Sequence, residues 1–97
     1  IMEDYMASGD IDAQDLNGLA WELATRQLYP QRALEIALMA TGMEPEDPNI
    51  MDTVAESYYA SGDYVSAVEW ELRALELDPE NAFFNQQLEK FYEAMEE

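Results

Sequence analysis

The sequence contains no cysteine and no histidine. Without cysteine there is no disulfide framework and no thiolate nucleophile. Without histidine the chain lacks the commonest general base and the commonest metal ligand. Serine hydroxyls are present, but no neighbouring base can activate them, so we predict no catalytic residues. These absences argue against an enzyme, and we expect neither a cofactor nor a metal.

Positive charge is also scarce. Four Lys and Arg residues stand against 22 Asp and Glu residues, which gives a formal net charge of −18. A surface of this sign repels nucleic acid and anionic membranes, because both attract cationic proteins. The acids are spread along the chain rather than gathered in one tail. Two explanations stay open: the charge serves solubility or life at high salt, or it attracts a basic partner.

Long apolar runs are missing too, and none approaches the roughly 20 residues that cross a bilayer, so we expect no membrane insertion. The four Pro and four Gly residues suit helices joined by short turns. The 97 residues are 48% hydrophobic, enough for the core of one small domain. Because the sequence begins with Ile1 rather than Met, we expect a piece of a longer protein. The compartment stays open between cytoplasm and periplasm.

One acidic stretch near the N-terminus invites a calcium interpretation. An EF-hand loop that began at Asp10 would need Gly at its sixth position and Glu at its twelfth, and this sequence has Asp15 and Trp21 there. The match fails, so no metal site is predicted. Asp12 or Asp15 is better explained as an acid at a helix N-terminus, where it complements the helix dipole.

The second half of the chain contains two helical patterns around a short turn. In the first pattern Ile50, Val54 and Tyr58 recur every four residues, as on one face of a helix. Gly62 suits the left-handed position that ends a helix, and Asp63 suits the N-cap of the next. The segment therefore predicts a helix–turn–helix unit.

The first half repeats this unit at a fixed offset of 34 residues. The aligned pairs are Ala33 with Ala67, Leu38 with Leu72, Ala40 with Ala74, Met43 with Leu77, and Pro45 with Pro79. A period of 34 with two helices per unit is typical of the tetratricopeptide repeat (TPR). Residues 48–81 resemble a full TPR unit, with small Ala55 and Ala67 where the helices approach, and residues 14–47 resemble a diverged unit.

This resemblance implies an all-α fold, a right-handed α–α superhelix of two helix-turn-helix repeats and a C-terminal capping helix. The predicted parts are a linker or tail of a preceding helix at 1–11, repeats at 12–47 and 48–81, and a capping helix at 82–97. The five predicted helices lie near 12–26, 31–42, 48–60, 64–77 and 82–95. One pair alone cannot bury its apolar face, so the units must stack.

The last helix should bury one face and expose the other. The residues predicted to face the core are Phe84, Leu88, Phe91 and Met95. Glu89 occupies the position that Ala55 holds one repeat earlier, where a carboxylate would clash with a following helix, so it marks the end of the stack. Glu71 departs from the family pattern, which has a large apolar residue there, and we expect an effect on packing detail only.

In TPR proteins the first helix of each pair lines a concave groove, and the resemblance implies a partner-binding surface there. The inward positions are Asn17, Trp21, Asn49, Asp52, Glu56, Tyr59, Gln86 and Lys90. Aromatic rings would supply buried area, and carboxylates would pair with a Lys or Arg of the partner. Alternatively, Trp21 and Tyr59 pack between helices and the acids are solvated.

One TPR subclass grips the C-terminal carboxylate of its ligand with Lys and Asn. Asp52 and Glu56 stand at the corresponding positions here, so we expect no ligand of that class.

Three functions remain open. The first is a protein–protein interaction module or scaffold that binds a protein or peptide, which would be basic if the acidity serves recognition. The second is a structural C-terminal appendage: residues 19–25 and 67–70 resemble TPR segments of larger bacterial proteins, some with thioredoxin-like domains. The third is self-association into a homo-oligomer through Trp70 or the N-terminal face, although core or edge packing of Trp70 is the favoured interpretation.

Overall fold

The computed structural model describes residues 11–97, and in this part of the chain all regular structure is helical. The five helices are α1 Ala13–Thr25, α2 Pro30–Met43, α3 Pro48–Ala60, α4 Tyr64–Leu77 and α5 Ala82–Glu96. Each observed end lies within one residue of the predicted end, so the all-α helical-repeat organisation is confirmed. Of the predicted N-terminal linker or tail, all but Ile11 lies outside the described residues.

Acidic or amide side chains cap four of the five helices at their N-termini. Asp12 and Asp15 form a capping box at α1, in which the Asp12 carboxylate accepts the Asp15 backbone N–H at 2.9 Å. Asp47, Asp63 and Asn81 accept backbone N–H groups at the starts of α3, α4 and α5. These bonds satisfy donors that a helix leaves unpaired, which is why the sequence predicted the helix starts well.

The two turns within the helix pairs differ in backbone geometry. Gly62 has φ +90°, as expected for a residue that ends α3 and lets the chain enter α4. The turn between α1 and α2 has no glycine, and Gln27 and Tyr29 adopt positive φ angles of 55° and 48° instead. Such angles are costly for residues with a side chain, so the first repeat is the more irregular of the two.

Helix α3 is the centre of the molecule. Every residue from Ile50 to Ser57 is buried, because α1, α2, α4 and α5 surround the helix. Fully buried alanines allow close approach between helices, among them Ala20, Ala33, Ala55 and Ala67. Trp70 on α4 contacts all three apolar clusters of the described core, and the Arg73 guanidinium lies 4.6 Å from the centre of its ring. Trp70 therefore packs in the core and at its edge.

Helix α5 closes the stack with a face that is less apolar than predicted. Phe84 and Phe91 are buried as expected, and Glu89 is exposed. Met95 was predicted to face the core but is 47% exposed, because it lies in the last turn of the helix. The polar side chain of Gln87 is buried on this face. The contact between α5 and the last repeat is therefore partly polar.

Candidate functional site

A cavity of about 420 Å³ opens between the first helices of the pairs and the start of α5. Helix α1 contributes Gln14, Asn17, Gly18 and Trp21, α3 contributes Asn49, Asp52 and Thr53, and the α5 end contributes Asn81, Phe83 and Phe84. The volume lies in the range of ligand pockets in proteins. Because the lining joins aromatic rings to amide and carboxylate groups, the cavity can hold a ligand with an apolar part and hydrogen-bond donors.

Two aromatic rings form one wall of this cavity. The Trp21 and Phe83 ring centres are 5.9 Å apart and their planes are inclined by 63°, an edge-to-face contact between α1 and α5. Phe83 is 47% exposed despite this contact. Phe84, its neighbour in sequence, touches the cavity but is only 2% exposed and packs in the core with Met51 and Ala74. One of the two adjacent rings is therefore structural and the other remains available at the cavity.

The polar part of the lining has acceptors that are not fully used. The Oδ1 atom of Asn17 is buried and has no hydrogen-bond partner among the described residues. Asp52 is only 5% exposed, and the Gln87 amide donates to its Oδ1 at 3.3 Å. Gln14, at the rim, is already bonded, since its amide donates to Asp47 Oδ2 at 2.9 Å. Buried acceptors without partners are costly, so a ligand that donates hydrogen bonds would be stabilised here.

A buried polar network, made of Asp52, Glu56, Glu71, Gln87 and Lys90, continues from the cavity into the contact of α3 and α4 with α5. Glu56 is 5% exposed and its Oε1 accepts from Gln87 and from the Lys90 ammonium, both at 2.9 Å. This ion pair links α3 to α5, because Glu56 lies on α3 and Lys90 lies on α5. The network therefore fixes α5 on the last repeat.

Glu71 lies at the bottom of the buried polar network, on α4. Its side chain is fully buried, and neither carboxyl oxygen accepts a hydrogen bond from the described residues. Burial raises the pKa of Glu71 to about 10, and a side-chain hydrogen bond with Asp52 and the negative charges of Asp52 and Glu56 add to the rise. Glu71 is therefore a neutral acid at pH 7.

Asp52 connects the buried polar network to the cavity. Burial raises the pKa of Asp52 to about 6, while its neighbours Glu71 and Gln87 limit the rise. Glu56 raises this pKa and Lys90 lowers it, both by charge. Asp52 is thus ionised at neutral pH, and the hydrogen bonds from its neighbours do not fully replace the hydration that its carboxylate loses on burial.

The structure divides the eight predicted groove residues into three groups. Asn17, Trp21, Asn49 and Asp52 line the cavity together. Glu56, Tyr59 and Lys90 instead contact one another beside it: Lys90 Nζ bonds Glu56 and lies 4.6 Å from the centre of the Tyr59 ring. The Tyr59 ring also packs on Phe91 at 5.2 Å between ring centres. The acids predicted to face solvent or ligand, Asp52 and Glu56, are both buried.

Gln86 is the predicted residue that the structure places away from the cavity. It aligns with Asp52 at the repeat offset, but it is exposed and does not line the cavity. The physical reason is that α5 covers Asp52, whereas no later helix covers Gln86. The residue of α5 that reaches Asp52 is its neighbour Gln87.

Sequence reasoning missed Glu71 and Gln87 in the buried polar network and six residues of the cavity lining. The six are Gln14, Gly18, Thr53, Asn81, Phe83 and Phe84. Glu71 was visible as a carboxylate between Ala67 and Ala74, in the apolar register of α4. That departure is the signal that could have revealed a buried acid. The adjacent residues Phe83 and Phe84 are a second signal, since neighbours on a helix cannot share one buried face and one of the two rings is therefore left more exposed.

The described residues contain no group of three or more Asp and Glu side chains placed to hold a metal ion. Within the same range, no helix is both long and apolar enough to cross a bilayer. The cavity itself presents aromatic rings, amide groups and one carboxylate. Comparison with protein-family models, with curated proteins and with solved structures found no match to this chain.

Proposed function

We propose that this chain is a TPR-type protein-interaction module that binds an extended segment of a partner protein in the cavity between α1, α3 and α5. The observation that carries the proposal is the cavity itself, about 420 Å³ in volume, with aromatic rings on one side and amide and carboxylate groups on the other. An extended peptide has both apolar side chains and backbone N–H donors to offer such a lining.

The repeat pattern supports the same proposal. Two helix pairs at an offset of 34 residues, followed by a closing helix, leave the first helices of the pairs side by side, with the cavity between them. Four of the residues predicted from the TPR resemblance line this cavity. Since the net charge is −18, association with a basic segment would be accelerated by long-range attraction.

The proposal is tested with a library of extended peptides of basic, neutral and acidic composition, screened against the whole chain. Phe83→Ala removes an exposed ring from the cavity, and Tyr92→Ala removes a similarly exposed ring elsewhere on α5. We expect at least one peptide class to bind, with an affinity that falls about tenfold in Phe83→Ala and little in Tyr92→Ala. Absence of binding across the library, or equal behaviour of the two variants, would disprove it.

A further inference from the structure

The acidic side of the cavity has no basic side chain of this chain beside it. Asp52 lines the cavity, and its carboxylate accepts side-chain hydrogen bonds from Gln87 and from the neutral carboxyl group of Glu71. The Asn17 Oδ1 beside it is buried and has no partner among the described residues. The hydrogen-bond donors to Asp52 are therefore neutral, and no positive charge is bonded to its carboxylate.

All four basic side chains of the sequence are engaged away from the cavity. Arg26 pairs with Glu22 at 3.0 Å and Arg32 pairs with Glu35 at 3.5 Å, both on the outside of the first repeat. The other two are Arg73, which lies over Trp70, and Lys90, which bonds Glu56. None of the four lines the cavity. A cation that enters it must come from another molecule.

The geometry points to an arginine side chain of the partner segment as the occupant of this cavity, stacked on the Trp21–Phe83 wall with its guanidinium hydrogen-bonded to the Asp52 carboxylate. This inference rests on the proposed function, since it names the side chain by which the partner segment would be anchored. The planar guanidinium has five N–H donors and a face that stacks on aromatic rings, which matches a carboxylate beside an aromatic wall.

Arginine fits better than lysine for two reasons. An ammonium group is compact and strongly hydrated, so it neither stacks flat on a ring nor reaches two acceptors as a rigid fork. Asp52 is also only 5% exposed, and a guanidinium, which is more weakly hydrated than an ammonium, loses less hydration when it pairs with a buried carboxylate. The alternative of a neutral donor would leave that charge uncompensated.

The inference is tested with three blocked pentapeptides, in which Arg, Lys or citrulline stands between glycine pairs. Citrulline keeps the shape of arginine and removes its charge. Binding to the whole, isotopically labelled chain is followed through the Trp21 indole N–H resonance. We expect the Arg peptide to bind about tenfold or more tightly than the citrulline peptide, and the Lys peptide to lie between them.

Asp52→Asn is the variant that tests the partner of the guanidinium. It should weaken binding of the Arg peptide about tenfold and leave the citrulline peptide nearly unchanged. Glu46→Gln is the matched control, because it also removes one negative charge, from an exposed residue that does not line the cavity. The comparison of peptides on the unmodified chain needs no variant, so the test stands even if Asp52→Asn folds poorly.

Two failures can be told apart. If the citrulline and Arg peptides bind equally, or if Asp52→Asn and Glu46→Gln behave alike, the arginine assignment is wrong. The proposed function would still stand if a library peptide without arginine binds and is weakened by Phe83→Ala. If no peptide of any composition binds, the inference and the proposed function fall together.

Discussion

Glu71 is the residue whose environment is most at odds with its chemistry. A fully buried carboxyl group next to a carboxylate is stable only in its neutral form, because ionisation would place a second negative charge beside Asp52. The folded state therefore holds a proton that the unfolded chain releases above its ordinary pKa of 4.5. This difference makes the stability of the fold depend on pH.

The sign of that dependence follows from the direction of the shift. Because the pKa of Glu71 is raised in the folded state, its contribution is fully present below about pH 4.5 and is lost as pH rises toward 10. The free energy of unfolding should then fall with rising pH, by up to about 1.4 kcal/mol per pH unit. Asp52, raised from 3.8 to about 6, acts in the same direction but only up to about pH 6.

We predict that Glu71→Gln stabilises the protein and flattens this pH dependence. The amide has the same shape and never ionises, so the unfolded state no longer gains from releasing a proton. The free energy of unfolding should rise by about 2 kcal/mol at pH 7. Urea unfolding between pH 7.5 and 9, followed by circular dichroism, measures both effects in a range where Asp52 is ionised.

Glu76→Gln is the control for Glu71→Gln, since it makes the same chemical change, carboxyl to amide, at an exposed position of the same helix. It should leave the slope of stability against pH unchanged. If Glu71→Gln keeps the slope of the unmodified chain, the carboxyl group of Glu71 is not the buried acid that the packing describes.

Single residues also mark the limit of what the sequence predicts. The repeat offset assigned Gln86 to the groove because it aligns with Asp52, yet burial depends on which helix follows, and none covers Gln86. Glu71 was recognised as a departure from the family pattern, but its consequence could not be derived from α4 alone. The protonation state of Glu71 is set by carboxylates on α3 and by the burial that α3 and α5 provide, and these helices contact Glu71 only in the folded chain.

At the scale of elements, local chemistry determines the helices well. The starts of α1, α3, α4 and α5 coincide with Asp or Asn side chains that accept backbone N–H groups, and such caps act within one turn of the chain. The turn between α3 and α4 is equally local, since Gly62 holds a positive φ angle there. Elements whose ends depend on nearby residues are those that a sequence predicts accurately.

The turn at Gly62 gives a prediction at this scale. Gly62→Ala should lower the free energy of unfolding by about 1 kcal/mol, because a side chain at φ +90° is strained even though no atom lies within 4 Å of the added Cβ. For a domain of this size the midpoint of thermal unfolding should fall by about 5 °C. Differential scanning calorimetry measures the change.

Gly42→Ala provides the opposite case within the same chain. Gly42 lies in the last turn of α2, no atom lies within 4 Å of the added Cβ, and its φ angle is not positive. Alanine favours the helix over glycine, so this variant should gain roughly 0.5 kcal/mol. If Gly62→Ala gains stability as Gly42→Ala does, the turn at Gly62 does not require its left-handed backbone.

At the scale of the whole molecule, the arrangement of helices decides which residues can serve a function. The sequence predicted a groove along the first helices of the pairs, and α5 divides that surface into an open cavity and a closed polar contact. Phe83 reaches Trp21 across α3, from the opposite end of the described chain. Contacts of this range follow from stacking geometry, which the offset of 34 residues implies only in outline.

The charge of the whole molecule supports the last prediction. A net charge of −18 stands against three ion pairs in the described residues, and two of these are largely exposed, so they contribute little to stability. Unpaired acids on a small domain repel one another across the surface. Raising NaCl from 20 to 500 mM shortens the screening length from roughly 20 Å to roughly 4 Å.

We therefore expect the midpoint of thermal unfolding to rise by several degrees over this salt range, measured by circular dichroism at pH 7.5. A variant with Glu89→Lys, Glu93→Lys and Glu97→Lys reverses three charges on exposed positions of α5 and its end. Since fewer acids repel one another in that variant, its midpoint should depend less on salt. A midpoint that does not change with salt in the unmodified chain would show that repulsion between the acids does not destabilise the fold. Adaptation to high salt would then lose its physical basis, and solubility and recognition of a basic partner would remain as explanations for the charge.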